Sequence, residues 1–307
     1  MTEKILAGDY RSPRQMLADQ EYGGHTSIHD DETAERLGFQ AGPIEGPTHF
    51  SQFVPLLAEL WGTAWFENGC LSSHFQNMCV EGDAVKAFAR FDSEQPFSAQ
   101  IWAEKEDGTP VLTGTASLPD ESGQHPETEL ERRLNKLTPP GSLVILENLS
   151  VGQRVAVPEP VIMDFDQNMG ALYPFSLKEK LEKITEGSPW YDPATAADSP
   201  WGGAIIPLEM ISVLAEYSSR LAAWPVKGPA IGLFADLEIR LLNGPLMVGV
   251  PYTITREIAA LSESRRTESY WVRTLISDAT THEPKASVLL NHATLKASYE
   301  GYPGLSD

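Results

Sequence analysis

Apolar residues recur at three- and four-residue spacing after Pro47: Phe50, Phe53, Val54, Leu57, Leu60, Trp61 and Ala64. That spacing predicts a helix buried round most of its circumference. Pro47 suits the first helical position, and Pro55 predicts a kink or a loosened turn inside the helix. A second stripe follows Pro207: Met210, Ile211, Val213, Leu214, Tyr217 and Leu221, with Ser218, Ser219 and Arg220 on its polar side. After each helix the chain reads as strands. Segments 97–105 and 111–118 flank the turn Glu106-Asp107-Gly108-Thr109, and segments 270–277 and 285–295 repeat that hairpin. Asn68-Gly69 and Gly82-Asp83 mark further turns. Residues 119–141, rich in Pro, Glu, Asp and Gly, break both periods and hold one helical stretch at 127–137. They read as a linker.

The two sides of that linker share an order of elements. Ile28-His29-Asp30-Asp31-Glu32-Thr33-Ala34 matches Trp190-Tyr191-Asp192-Pro193-Ala194-Thr195-Ala196 as a loop with a short helical turn. Gly42-Pro43-Ile44-Glu45-Gly46-Pro47 matches Gly202-Gly203-Ala204-Ile205-Ile206-Pro207 as the approach to each long helix. Each half closes on a strand with a similar tail, Thr113 to Leu118 and Asn291 to Leu295. The expected architecture is α+β: a long central helix wrapped by an antiparallel sheet, made twice. Residues 1–118 form the first unit, 119–141 the linker and 142–307 the second. A duplication that keeps its scaffold but not its polar residues has one working site.

Composition narrows the partners. The 307 residues are 41% apolar and 21% charged, enough for two cores. A net charge of −20 excludes a nucleic-acid reader, which needs clustered Lys and Arg, and disfavours anionic membrane surfaces. The start, Met1-Thr2-Glu3-Lys4-Ile5-Leu6, lacks the apolar core of a signal peptide, and no run reaches the length of a membrane span. Cys70 and Cys79 have neither metal-ligand spacing nor the density of a secreted scaffold. A cytoplasmic protein is expected.

The run Ile28-His29-Asp30-Asp31, then Leu37-Gly38-Phe39-Gln40-Ala41-Gly42-Pro43-Ile44-Glu45-Gly46-Pro47-Thr48, resembles the His-x-Asp loop and Gly-rich helix approach of the MaoC-like, (R)-specific enoyl-CoA hydratase superfamily. Residues 71–75 with Glu81-Gly82-Asp83 are similar to that family's next strand and its Gly-Asp turn. Trp190-Tyr191-Asp192-Pro193, Trp201-Gly202-Gly203 and residues 245–249 are weaker echoes. The resemblance spans nearly the whole chain and implies a tandem double hot dog. It implies a His acting with an Asp five residues before it to add water to a trans-2-enoyl thioester or remove it, with a backbone N–H at the helix start holding the thioester oxygen. His29 and Gly46 take those places. Gly24 stands where the family has its Asp, and counting back from Ala34 puts the His slot on Ile28, one residue off.

His29 can accept a proton from water and return it, or it can simply bond within its loop. Asp30 either orients His29 and replaces the lost acid or joins Ser27 in a capping box; Asp31 suits an N-cap and Gly38 the position after the helix. His25, beside Gly24, supplies a second titrating group or is a solvated loop residue. Gly46 and Thr48 offer N–H groups at a helix start, where developing negative charge is stabilised. His49, on the first turn, faces the pocket or packs under the strands; alternation does not decide which way His74 points. The second half has Trp190 or Tyr191 at the His position. Trp201, Ile205, Ile206, Met210 and Phe234 would give an apolar wall, and Tyr191 a hydrogen bond into a shared cleft.

No metal set, phosphate loop or Gly-x-Ser-x-Gly elbow is present in the sequence, and the implied mechanism needs no cofactor. The expected activity is that of a hydro-lyase on an α,β-unsaturated acyl thioester, the thiol carrier being coenzyme A or another. The alternatives are a silent binder of an acyl or hydrophobic small molecule, and a thioesterase using Glu59, the only acid within the central helix. A tandem chain already holds the pair that single units form by dimerising, so a monomer fits; a dimer of tandem chains is expected.

Overall fold

The computed structural model describes residues 3–22 and 27–304. Among them ten strands form one antiparallel sheet: β1 (Glu3–Ala7), β2 (Cys70–Phe75), β3 (Val85–Asp92), β4 (Ser98–Lys105), β5 (Pro110–Ser117), β6 (Arg154–Ala156), β7 (Gly232–Leu241), β8 (Tyr252–Glu263), β9 (Thr267–Asp278) and β10 (Pro284–Leu295). Their order in space is β1-β3-β4-β5-β2-β7-β10-β9-β8-β6. Each half contributes five adjacent strands in the same relative order, and the halves join where β2 pairs β7, from Cys70 opposite Arg240 to His74 opposite Asp236. The two edges are the shortest strands, which limits the unpaired backbone they expose.

Among the described residues six α-helices accompany the sheet: α1 (Asp31–Arg36), α2 (Val54–Trp61), α3 (Ala64–Asn68), α4 (Glu129–Leu134), α5 (Leu177–Leu181) and α6 (Leu208–Glu216). The first central helix is composite. Gly46–Phe53 is a 3-10 helix that runs into α2. Pro55 explains the change of pitch. It has no N–H for the Ser51 carbonyl, and its ring would crowd that oxygen in an α-helix. The Val54 N–H takes the Ser51 carbonyl instead, closing the tighter turn. The expected loosened turn is therefore a tightened one, and Pro55 itself sits at the start of α2, where it is tolerated. No proline interrupts α6, and it is α-helical throughout.

The 3-10 stretch and α6 pack against each other. Phe50, Phe53, Leu57, Met210 and Leu214 are fully buried in one core shared by both halves. Burial on this scale contributes about 1.5–3 kcal/mol per large apolar side chain. The linker helix α4 has a reciprocal capping box between Thr128 and Glu131. It lies on the outer face of the sheet, where Ser72 Oγ accepts the Leu130 N–H and Thr115 Oγ1 accepts the Glu129 N–H, both at 3.0 Å. Leu130 is buried there against Trp271 and Leu289. Helix α4 thus fastens the seam where β2 meets β7. Among the described residues no helix is long and apolar enough to cross a membrane.

Candidate active site

His29 is positioned by the loop that opens α1. Asp30 is the N-cap, its carboxylate accepting the Thr33 N–H at 2.9 Å. Asp31 turns back to accept the Gly42 N–H at 2.8 Å. Gly42 passes so close to the His29 backbone that a β-carbon on it would lie 2.2 Å from the His29 carbonyl oxygen. This close approach brings Pro43 beside the imidazole, and His29 Nδ1 sits 2.5 Å from the Pro43 carbonyl oxygen. A carbonyl only accepts, so Nδ1 carries the proton and Nε2 keeps its lone pair. The loop is also tied to the second half: Ser27 Oγ donates to Gln20, whose amide donates to the Leu172 carbonyl.

His29, Glu45, Gly46, His49 and Phe75 line a cavity of about 300 Å³, closed from the second half by Gly232 to Ala235, Thr267 and Ala293. Gly46 opens the 3-10 helix, so its N–H has no acceptor in a preceding turn. A β-carbon there would fall 2.6 Å from the Phe75 ring, so glycine is required for the ring to lie against the helix start. Burial pushes His29 down to about 4 despite the Pro43 carbonyl, leaving the ring neutral at physiological pH. His49, fully enclosed, is also pushed down to about 4, by burial and then by the nearby Lys180 and Lys105. Glu45 moves the other way. Burial raises its carboxyl to about 7, against the opposing pull of Lys180 and a 3.0 Å hydrogen bond from the Tyr173 hydroxyl.

No family profile and no curated protein matches the chain. Solved structures do. A protein described as a MaoC domain protein dehydratase from Chloroflexus aurantiacus superposes with a TM-score of 0.59 at 14% identity, covering 96% of this chain and 95% of its own. A conserved hypothetical protein of Mycobacterium tuberculosis, described as having a double hotdog fold, gives 0.57 at 10% identity over 96% and 97%. A MaoC-like dehydratase gives 0.51 at 13% identity over 95% and 97%. The protein is a double hot dog. At such identities the likeness concerns the fold.

The sequence-predicted residues divide within this double hot dog. His29, Gly46 and His49 come together at the cavity. Asp30 does not line it; its carboxylate is occupied as a helix cap, the structural one of the two readings its position offered. Ser27 takes no part in that cap, and Asp31 binds Gly42 instead of capping, while Gly38 sits just after α1 with a positive φ of 86°, as expected. Thr48 is turned away from the cavity and accepts from Lys180 Nζ at 3.3 Å. His74 lies on the outer face: its Nδ1 is 2.8 Å from Asp236 Oδ1, under Arg133 of the linker helix. Strand alternation explains this, since Phe75 takes the inward position. His25 and Gly24 lie outside the described residues.

Of the expected apolar wall only Phe234 reaches the cavity. Trp201 instead packs with Phe66 and Trp190, and Ile205, Ile206 and Met210 belong to the core. Tyr191 is buried away from the cleft; Tyr173 makes the cross-half hydrogen bond instead. Glu59 is exposed and paired with Lys4, so the central helix offers the cavity no acid from its middle. Among the described residues no group of three or more His, Cys, Asp or Glu is placed to hold a metal ion. Sequence reasoning missed Glu45 and Tyr173. An ionisable residue between Ile44 and Gly46, in an otherwise apolar helix approach, is the signal that points to Glu45. Nothing local marks Tyr173.

Proposed function

We propose that this double hot dog is a hydro-lyase of the acyl-thioester hydratase/dehydratase type, within the MaoC-like superfamily. The observation that carries the reading is a neutral imidazole and a free helix-start N–H on one cavity: His29, with Nδ1–H held by the Pro43 carbonyl, and Gly46. In hydration His29 Nε2 takes a proton from water as its oxygen bonds to the β-carbon of an enoyl thioester. The π electrons move toward the thioester oxygen, where the Gly46 N–H stabilises the developing charge. Protonation of the α-carbon completes the addition, and dehydration is the reverse. A cavity of about 300 Å³ suits a short or medium acyl group entering from a thiol carrier such as coenzyme A.

The test is loss of enone absorbance with short and medium trans-2-enoyl thioesters. Wild type should turn over, and His29→Ala should lose about 10²–10⁴-fold in kcat. Because burial holds His29 near 4, the acid limb of the wild-type profile should lie well below that of an ordinary histidine. Absence of turnover in wild type removes the lyase reading, release of free thiol points to hydrolysis, and a retained small ligand in native mass spectrometry without turnover points to a binder.

A further inference from the structure

We propose that Glu45 is the second proton-transfer residue of this site, a carboxyl of the first half anchored by a tyrosine of the second, so that the working site needs both halves. The proposal rests on the hydro-lyase reading above. It starts from a position that the fold leaves unexplained. Glu45 occupies the N-cap of the 3-10 helix, yet its side chain makes no capping hydrogen bond. The carboxylate is instead buried, lines the cavity shared with His29, and belongs to the residue just before the Gly46 N–H. Its Oε1 accepts from the Tyr173 hydroxyl at 3.0 Å, which fixes the carboxyl's direction and leaves Oε2 to carry an acid proton.

The charges around it favour that proton. From the second half Lys180 is the cation that would draw Glu45 toward ionisation, but its Nζ is paired with Glu209 at 2.8 Å. Glu209 and Glu216, on α6, oppose a further negative charge. Tyr22 and Tyr173 are neutral hydroxyls there, and His29 and His49 are neutral rings. A carboxyl in such surroundings titrates near neutrality, within reach of either proton state.

The chemistry then balances with no outside reagent. His29 removes a proton from water while the C–O bond forms at the β-carbon. The π pair becomes an enolate held by Gly46, and Glu45 delivers its proton to the α-carbon. His29 leaves the step protonated and Glu45 ionised; transfer of one proton between them through water restores both. The acid that the family carries five residues before its His is replaced by one sixteen residues after, lining the same cavity.

The experiment is the pH–rate profile of wild type, Glu45→Gln and Tyr173→Phe with the same enoyl thioesters. Wild type should lose activity above about pH 7, as Glu45 ionises. Glu45→Gln, which keeps the hydrogen bond from Tyr173, should lose about 10²–10⁴-fold in kcat with KM little changed. Tyr173→Phe should lower kcat, because the carboxyl is no longer held in one direction, and move the alkaline limb to higher pH, because the lost hydrogen bond stabilised the carboxylate. Glu45→Gln within about threefold of wild type, with the alkaline limb intact, overturns the proposal while leaving His29 in place. Should Glu45→Gln fail to fold, an unmoved limb in Tyr173→Phe overturns it. A wild type without turnover removes the hydro-lyase reading and this proposal with it.

Discussion

Gly42 sets the position of the imidazole more directly than any neighbour with a polar side chain. Its missing β-carbon would sit 2.2 Å from the His29 carbonyl oxygen and 3.2 Å from Asp31 Oδ1. Neither atom has room to yield: one is backbone and the other already accepts the Gly42 N–H. Gly42→Ala should therefore cost about 1–3 kcal/mol and separate His29 from Pro43. Thermal denaturation and the rate with enoyl thioesters read the two effects, and an unchanged melting temperature would contradict this close packing of Gly42 on His29. Residue types and spacing made His29, Gly46 and His49 legible in the chain. They did not separate Asp30 from a catalytic role, because an N-cap and a general acid call for the same side chain at the same kind of loop. Nor did they place His74, because inward and outward positions on a strand differ only in what packs over them.

At the scale of elements, the two central helices are clasped by a buried polar cluster. Lys180, one residue before the end of α5, is paired at 2.8 Å with Glu209 in the first turn of α6. Ser51 of the 3-10 helix donates a short hydrogen bond to the same carboxylate, and Lys180 donates to Thr48. Both charged groups are almost wholly enclosed, so removing one strands the other. Glu209→Ala should destabilise the fold by about 3–5 kcal/mol, whereas replacing both by apolar residues of similar volume should recover most of the loss. Urea unfolding of the single and double variants decides; equal losses in both would show that the ion pair is not what joins the helices. Both helices were visible from their apolar stripes. Their pairing was not, since Ser51 and Glu209, which join them, are 158 residues apart.

For the molecule as a whole, buried titratable groups set the dependence of stability on pH. His29, His49 and His125 are pushed down to about 4 and His292 to about 3, in each case first by burial. Below about pH 6.5 these four take up protons in the unfolded chain but not in the folded one, so stability falls as pH drops from there toward 4. Glu45 and Glu216, raised to about 7 by burial, act oppositely: their contribution is full below about 4.3 and is lost as pH rises to 7. Four imidazoles outweigh two carboxyls between these limits. Stability should peak between about pH 6 and 7 and fall on acidification by up to roughly 3 kcal/mol per pH unit. Urea midpoints from pH 4.5 to 8 test this, and His292→Asn should flatten the acidic side; a flat wild-type curve would remove the linkage.

Periodicity alone determined that the chain holds two helix-and-sheet units, because apolar spacing and turn residues are local signals that burial must satisfy wherever the units come to rest. Local spacing likewise marked the loop of His29 and the helix start at Gly46. Tertiary structure decided the rest: that one sheet runs through both halves, that Tyr173 of the second half meets Glu45 of the first, and that a carboxyl ordinarily charged in water is held near neutrality. Those outcomes depend on which groups exclude water from which others, and that is settled only when distant segments share one core.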